Sequence, residues 1–270
     1  TNYAWAALGS GGKVVTWGNG PAALGAIATT GQNGVKYYDY QPNQHLSSNV
    51  VKVYNNAWAF AALKNDGSVV SWGEAAYGGD SNPGSSGISP ALHSGVAKVY
   101  CNASAFAALK TDGTVVTWGS AGNGGDSTAV TTQLAPQLTS RVTKIFSTDM
   151  AFAALKTDGR VVTWGYPSYG GNPGAISGFL SSGVTNIYSN GAAFVARKGN
   201  GEVATWGYLG YGGVAPQDTL RVNKIYSTSS AFAALKTDGG VETWGDQNQG
   251  GNSSAVTDQL SSGVTKVYSN

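Results

Sequence analysis

The sequence is poor in the residues from which most enzyme active sites and metal sites are built. It has one cysteine, Cys101, and two histidines, His45 and His93, among 270 residues. One cysteine cannot form a disulfide framework within the chain, and a zinc site usually collects three or four nitrogen or sulfur ligands. A nucleophilic triad needs a histidine beside a Ser, Cys or Thr, but both histidines lie in variable, proline-containing segments. We therefore predict that the protein is not an enzyme and holds no metal or cofactor.

Charge and long apolar runs are scarce as well. Asp, Glu, Lys and Arg make up 11% of the residues, against roughly 25% in an average globular domain. The formal net charge is +2, and the basic residues do not cluster, so nucleic acid is not an expected partner. No segment approaches the ~18 consecutive apolar residues of a membrane helix, so we expect no membrane insertion. Low charge, few thiols and many Ser, Thr, Asn and Gly residues favour an extracellular or cell-surface location.

A sequence motif of about 15 residues occurs six times. Its clearest copy is AFAALKTDGRVVTWG at residues 151–165. Each copy ends in a Trp-Gly pair, and the six tryptophans are Trp17, Trp72, Trp118, Trp164, Trp206 and Trp244. Successive tryptophans are 55, 46, 46, 42 and 38 residues apart, which is the length of one propeller blade or solenoid unit. The pattern indicates a protein built from repeats.

Three strands are readable in each repeat. The first, VTKIFS at residues 142–147, alternates in polarity and is rich in β-branched and aromatic residues. The second, AFAALK at residues 151–156, is apolar on both faces, which is typical of a strand between neighbouring sheets. The third, VVTWG, ends at the repeated tryptophan, whose size suits a wedge between blades. A fourth, outer strand is predicted after the following Gly-Gly pair, near Gln133 to Leu138.

The second and third strands are joined by Asp-Gly turns, in which Asp forms the turn and Gly takes the left-handed conformation. The turn aspartates are Asp66, Asp112, Asp158 and Asp238. Asp80 and Asp126 follow Gly-Gly at a place where other repeats have asparagine, which also favours turn chemistry. We therefore interpret these acidic residues as turn residues rather than as a carboxylate pair for glycoside cleavage.

The two ends of the chain complement each other. Residues 263–270, GVTKVYSN, form a first strand without a second, and residues 2–18, NYAWAALGSGGKVVTWG, form a second and third strand without a first. A closed ring also protects the sheet edges that an open array would expose. We predict one all-β domain, 1–270. It is a six-bladed β-propeller of four-stranded antiparallel blades, closed by pairing the N- and C-terminal segments in one shared blade.

The repeat, with its AL, DG and WG landmarks and a glycine-rich loop after the tryptophan, resembles the regulator-of-chromosome-condensation repeat. Three loops end in Tyr-Gly-Gly, at Tyr77–Gly79, Tyr169–Gly171 and Tyr211–Gly213. The resemblance covers essentially the whole chain and implies a β-propeller. The family includes a Ran nucleotide exchange factor, a protein inhibitor of β-lactamases and many bacterial binding proteins. Six repeats instead of seven, and Gly-Gly instead of Gly-Gln-Leu-Gly, argue against exchange-factor activity.

Two regions are candidate partner-binding surfaces. The first is the long interval Asn19–Asn49, which carries Tyr37, Tyr38, Tyr40 and His45. A connection longer than about 12 to 15 residues without secondary structure of its own is usually functional or disordered, and tyrosine is enriched at interfaces. The second is the position before Gly-Gly, which is occupied by Tyr77, Asn123, Tyr169, Tyr211 and Gln249. The alternative for both is structural: tyrosines that cap the first blade or pack between blades.

These surfaces favour a non-enzymatic module that presents variable loops to a protein partner. The alternative is a lectin-like propeller that binds glycans through repeated Tyr, Asn and Asp loop sites. A lectin of that kind should keep its contact residues identical from loop to loop, whereas a protein binder should vary them. Tyrosine occupies this position in only three of the loops, and the loops differ in length. This variation favours a protein partner. Lysines also recur on the first strands, and we interpret them as solvated surface.

Overall fold

The computed structural model describes residues 4–18, 46–79, 90–128, 141–214 and 221–269, together with the backbone of 27–30 and 36–39. The chain divides into two compact units, Thr1–Ser140 and Arg141–Asn270. Both are all-β, with short 3-10 turns between strands. No helix in the described ranges is long and apolar enough to cross a membrane.

Unit 1 contains ten described strands. They are β1 (Ala4–Leu8), β2 (Val14–Gly18), β3 (Ile27–Thr30), β4 (Lys36–Asp39), β5 (Val50–Asn55), β6 (Ala59–Lys64), β7 (Val69–Gly73), β8 (Val96–Cys101), β9 (Ala105–Lys110) and β10 (Val115–Gly119). The strands β5 to β7 and β8 to β10 form two three-stranded antiparallel sheets, whereas β1–β2 and β3–β4 are two-stranded.

Unit 2 contains three sheets of the same kind. Its strands are β11 (Val142–Ser147), β12 (Ala151–Lys156), β13 (Val161–Gly165), β14 (Val184–Ser189), β15 (Ala193–Lys198), β16 (Val203–Gly207), β17 (Val222–Ser227), β18 (Ala231–Lys236) and β19 (Val241–Gly245). Each sheet takes three consecutive strands, with the second strand in the middle. The three predicted strands are therefore confirmed in the five repeats that end at Trp72, Trp118, Trp164, Trp206 and Trp244.

The middle strand is buried on both faces, as its sequence predicts. In β12 the side chains of Ala151, Ala153 and Ala154 have no exposed surface. Alanine adds little thickness, so neighbouring sheets can approach closely. Phe152 stacks on its cross-strand partner Trp164 with ring centroids 5.4 Å apart. The repeated motif thus places one large aromatic pair in each otherwise thin sheet.

The repeated tryptophan is the contact between consecutive repeats. Trp206 is 3% exposed, stacks on Phe194 at 5.1 Å, and donates its indole N–H to the carbonyl oxygen of Gly170 in the preceding repeat at 2.9 Å. Trp118 and Trp244 make the same bond to Gly78 and Gly212. The wedge predicted from the sequence is confirmed within each unit, and it is fixed by a hydrogen bond as well as by packing.

The Asp-Gly turns are also confirmed. The Asp66 carboxylate accepts hydrogen bonds from the backbone N–H of Ser68 at 2.9 Å and from its hydroxyl at 2.6 Å. Gly67 has φ 77°, the left-handed conformation that the turn requires. The hydrogen bonds from Ser68 lower the pKa of Asp66. Each of these aspartates therefore holds its own turn, as predicted.

The fourth, outer strand is wrong wherever the segment after Gly-Gly is fully described. Between β13 and β14 the chain forms 3-10 turns at Gly174–Ile176 and Phe179–Ser181. Between β19 and the C-terminus it forms a longer one at Ser254–Leu260. Pro173 and the nearby glycines favour turns, while Leu180, 2% exposed, is inserted into the core. The segment near Gln133 to Leu138 lies outside the described residues.

The long first interval is not without structure, contrary to the premise drawn from its length. Strands β3 and β4 pair as an antiparallel hairpin, with Ala28 opposite Tyr38 and Thr29 opposite Tyr37. Tyr37 and Tyr38 therefore lie at consecutive positions of one strand. Tyr40 and His45 lie outside the described residues.

The two terminal segments are incomplete repeats. Strand β1 pairs with β2 and, among the described residues, with no first strand. Residues 264–269 belong to no strand. Trp5 and Trp17 are 68% and 49% exposed, although the aromatic pairs at the same place in complete repeats are buried. One aromatic face of β1–β2 is thus uncovered in unit 1.

Candidate partner-binding face

One end of each sheet collects the loops on which the candidate residues lie. Ala151 pairs with Gly165, so the start of the second strand and the end of the third lie together. The loop from first to second strand and the loop after Trp-Gly therefore share one end. The Asp-Gly turns lie at the opposite end. We call the end with the Trp-Gly loops the loop face.

A buried polar residue after the first strand holds this face in shape. Asn190 donates from its side-chain amide to the carbonyl oxygen of Tyr211 at 2.7 Å and accepts from the backbone N–H groups of Ala192 and Ala193. Asn56, Asn102, Thr148 and Thr228 bond to the residue before Gly-Gly in the same way. Sequence reasoning missed this role, although Asn or Thr at the same place in each repeat is a readable signal.

The backbone of these loops is also joined between repeats. The N–H of Asp149 donates to the carbonyl oxygen of Gly191 at 2.8 Å, and the N–H of Gly191 donates to that of Ser229 at 2.9 Å. Ala57 makes the equivalent bond to Ala103 in unit 1. The side chains on the loop face therefore extend from a backbone that is held by hydrogen bonds. This lowers the conformational entropy that the loops lose when a ligand binds.

Four tyrosines of unit 2 form a continuous row on the loop face. Tyr166 contacts Tyr169 edge-on at 5.8 Å between ring centroids, Tyr169 stacks on Tyr208 at 6.3 Å, and Tyr208 contacts Tyr211 edge-on at 5.6 Å. The row crosses from one repeat to the next. Tyr166 and Tyr208 are 45% and 49% exposed, and the neighbouring Leu209 is 71% exposed. We call Tyr166, Tyr169, Tyr208 and Tyr211 the tyrosine row.

Sequence reasoning found half of this row. Tyr169 and Tyr211 were predicted as contact residues, and they are half-buried, packed on the core with part of each ring outside. Tyr166 and Tyr208, which follow Trp-Gly directly, were missed. The signal was that this position is tyrosine in two consecutive repeats and Asn, Glu, Ser or Asp in the others.

The other predicted contact residues of this set are held by their own repeats. Tyr77 stacks on Trp58 with ring centroids 5.4 Å apart. Asn123 donates to the hydroxyl of Ser104 at 2.9 Å, and Gln249 accepts from the hydroxyl of Ser229 at 3.2 Å. Asn123 and Gln249 do not continue an aromatic surface. The tyrosine row in unit 2 therefore offers a larger aromatic surface than the positions of these two amides.

A carboxylate stands at the end of the row. Asp149 Oδ2 and Tyr211 Cε2 lie 3.2 and 3.7 Å from the position that a Cβ on Gly191 would take, so both border that glycine, and the carbonyl oxygen of Ser229 lies 3.0 Å from the same position. Burial raises the pKa of Asp149, and no hydrogen bond from a described residue offsets the effect.

Positive charge is absent from the loops of this face in unit 2. They are residues 148–150, 166–171, 190–192, 208–213, 228–230 and 246–251. They contain no lysine or arginine and two aspartates, Asp149 and Asp246. The basic residues lie at the opposite end, as Arg160 does beside Asp158 at 3.3 Å, or on the first strands.

Cys101 and His93 are the cysteine and the histidine that the described ranges contain. Cys101 donates its thiol to the carbonyl oxygen of Asn55 at 3.0 Å, and burial raises its pKa, which disfavours the reactive thiolate. His93 is exposed in the turn after Pro90. No group of three or more His, Cys, Asp or Glu in the described ranges is placed to hold a metal ion.

The first-strand lysines each lie over the ring two residues further along the strand. Lys98 lies 4.6 Å from the centroid of Tyr100, and Lys144 lies 4.7 Å from that of Phe146. The same pairing occurs at Lys52, Lys224 and Lys266. These cations are thus engaged within their own strands.

No protein-family model matches the chain, and no curated protein matches it by sequence. Among solved structures, Prp20p of Saccharomyces cerevisiae, described with its binding properties to Gsp1p and histones, is 16% identical over 90% of this chain and 70% of its own, with a TM-score of 0.48. Yeast RCC1 (Prp20) bound to Kap60 is 17% identical over 90% and 68%, with a TM-score of 0.48.

A third similar structure is the ectodomain of the receptor kinase CR4 from Physcomitrella patens. It is 15% identical, with a TM-score of 0.47, and the match covers 93% of this chain and 63% of that one.

Proposed function

We propose that the protein is a non-enzymatic binding module that holds a protein partner on its loop face. The tyrosine row carries this proposal. It joins two repeats, exposes two rings to nearly half of their surface beside Leu209, and extends from a backbone that is held by hydrogen bonds. Rigid tyrosines are among the residues that contribute most of the binding energy at protein interfaces.

The arrangement of the row favours a protein over a repeated glycan site. Tyr166 and Tyr208 have no tyrosine counterpart in the other four repeats. The row is therefore one extended surface rather than the same small site repeated around the molecule. The first interval of unit 1, with Tyr37, Tyr38, Tyr40 and His45, is proposed as a separate contact region. From composition we place the protein outside the cell or at its surface.

Glycan binding is the second candidate, because the row offers aromatic faces and no described residue hydrogen-bonds to the four tyrosine hydroxyls. Paired measurements on one double variant, Tyr166→Ser with Tyr208→Ser, separate the two functions. Proteins captured from an extract by the wild type and identified by mass spectrometry should be lost with this variant, while a glycan array stays blank.

The control for this experiment is Arg160→Ser, in the Asp-Gly turn at the end of the sheets opposite the loop face. It should capture the same proteins as the wild type, and circular dichroism should show all three proteins folded. Specific binding to a glycan that disappears with the double variant would overturn the protein-binding proposal in favour of the lectin. Unchanged capture by the double variant would remove the tyrosine row from the function.

We further propose that the chain is a single six-bladed propeller of the regulator-of-chromosome-condensation type, closed by its own ends. Residues 264–269 repeat the sequence of β11, and β1 repeats that of β12. The register of β11 on β12, Ile145 opposite Ala154, corresponds to Val267 opposite Ala7. Covering β1 in this way would supply a neighbour for the exposed Trp5.

A disulfide between the two ends tests closure. In a Cys101→Ser background, the pair Ala7→Cys and Val267→Cys should oxidise within one chain, because directly opposed residues have Cβ atoms about 4.5 to 5.5 Å apart. Non-reducing electrophoresis and mass spectrometry distinguish the product. The control pair Ala6→Cys and Val267→Cys should oxidise poorly, since its side chains point to opposite faces. A disulfide that forms between two chains would show pairing with a second copy instead.

A further inference from the structure

The tyrosine row combines two features that together select a kind of partner. The faces of aromatic rings carry negative partial charge, and cations bind over them, arginine more often than lysine. The row presents four such rings in contact, two of them nearly half exposed. A carboxylate beside these rings adds a second feature, which favours a cationic partner over one that only buries apolar area.

The negative charge beside the rings comes from Asp149. Its carboxylate and the Tyr211 ring both border Gly191, within 3.2 and 3.7 Å of the position that a Cβ there would take. No lysine or arginine occurs in the loops of this face in unit 2. The carboxylate is therefore not neutralised by a cation from its own face, and a cation from a partner would meet both the ring and the carboxylate.

We infer that the loop face of unit 2 binds an arginine-containing basic segment of the partner protein, with the peptide along the tyrosine row and a guanidinium at its Tyr211 end, beside the Asp149 carboxylate. This inference rests on the proposed function and specifies its partner. A guanidinium is planar, stacks on aromatic rings and pairs with a carboxylate at its edge. The chain as a whole has a formal net charge of +2, so its overall charge does not attract a basic peptide.

The test uses a fluorescein-labelled hexa-arginine peptide and the whole protein at low salt, with binding followed by fluorescence anisotropy. A hexa-citrulline peptide, equal in shape and without charge, and a hexa-glutamate peptide serve as comparisons. We expect hexa-arginine to bind about tenfold or more tightly than hexa-citrulline, and hexa-glutamate not to bind. Added salt should weaken binding, because part of the attraction is between exposed charges.

Variants locate the binding. Asp149→Asn and Tyr208→Leu should each weaken hexa-arginine binding about fivefold, whereas Tyr208→Phe, which keeps the ring, should stay within about twofold of the wild type. The matched control is Asp158→Asn, an aspartate at the opposite end beside Arg160, which should change nothing. Equal binding to Asp149→Asn and the wild type, or equal binding of arginine and citrulline peptides, would overturn the inference.

The outcome can be separated from that of the proposed function. If hexa-arginine fails to bind while the double variant Tyr166→Ser with Tyr208→Ser still loses its captured proteins, the row binds protein and the basic segment is wrong. If hexa-arginine binds but Tyr208→Leu has no effect, the site lies elsewhere and the inference is equally wrong.

Discussion

Trp206→Ala should lower the free energy of unfolding by about 3 to 5 kcal/mol, the usual cost of removing a buried large aromatic side chain. The indole is 3% exposed, stacks on Phe194 and bonds to Gly170 of the preceding repeat. Its removal opens a cavity and leaves that carbonyl oxygen without its indole donor. Because one side chain joins two repeats, both should lose stability together. Urea denaturation followed by circular dichroism measures the change.

Trp58→Ala is the control for this prediction. Trp58 is 37% exposed and contacts Tyr77 of its own repeat, so its loss should cost less than about 1.5 kcal/mol. A similar loss in the two variants would show that the repeated tryptophan is not the wedge between repeats. Retained stability in Trp206→Ala would contradict the packing described for unit 2.

The local structure of each repeat follows from its sequence because it depends on local chemistry. Alternation in residues 142–147, the apolar run in 151–156 and the Asp-Gly pair each specify one strand or turn, and the structure contains them. The predicted outer strand failed for a similarly local reason. The segment from 172 to 183 has proline, glycine and serine in place of an alternating pattern, and it forms 3-10 turns.

The site was harder to predict because it arises between repeats. Tyr169 was found from its own loop, but its contact with Tyr208 depends on how two sheets pack against each other. Nothing in the sequence around Asp149 indicates that its carboxylate lies beside Gly191, near the Tyr211 ring. A linear sequence indicates which residues recur, whereas the face formed by the residues that differ depends on the relative positions of the repeats.

Substitution of the first glycine of the Gly-Gly pair should lower the stability of the protein nearly as much as substitution of the tryptophan that packs against it. A Cβ on Gly170 would lie 2.5 Å from Phe194 Cδ2, and its φ of 97° is one that side chains rarely adopt. Backbone strain of about 1 to 3 kcal/mol and overpacking of about 1 to 3 kcal/mol give an expected loss of about 2 to 6 kcal/mol for Gly170→Ala. Gly174→Ala, at φ 53° with nothing within 4 Å, should cost only the backbone part.

Gly250 extends this prediction to the closure of the ring. It has the same place in its loop and φ 98°, but nothing lies within 4 Å of its Cβ position. If β1–β2 covers the last repeat as proposed, Trp17 takes the place that Trp206 has on Gly170, and Gly250→Ala should cost as much as Gly170→Ala. Urea midpoints of the two variants make the comparison. A loss for Gly250→Ala no larger than that for Gly174→Ala would mean that no wedge reaches the last repeat and that the ring is open.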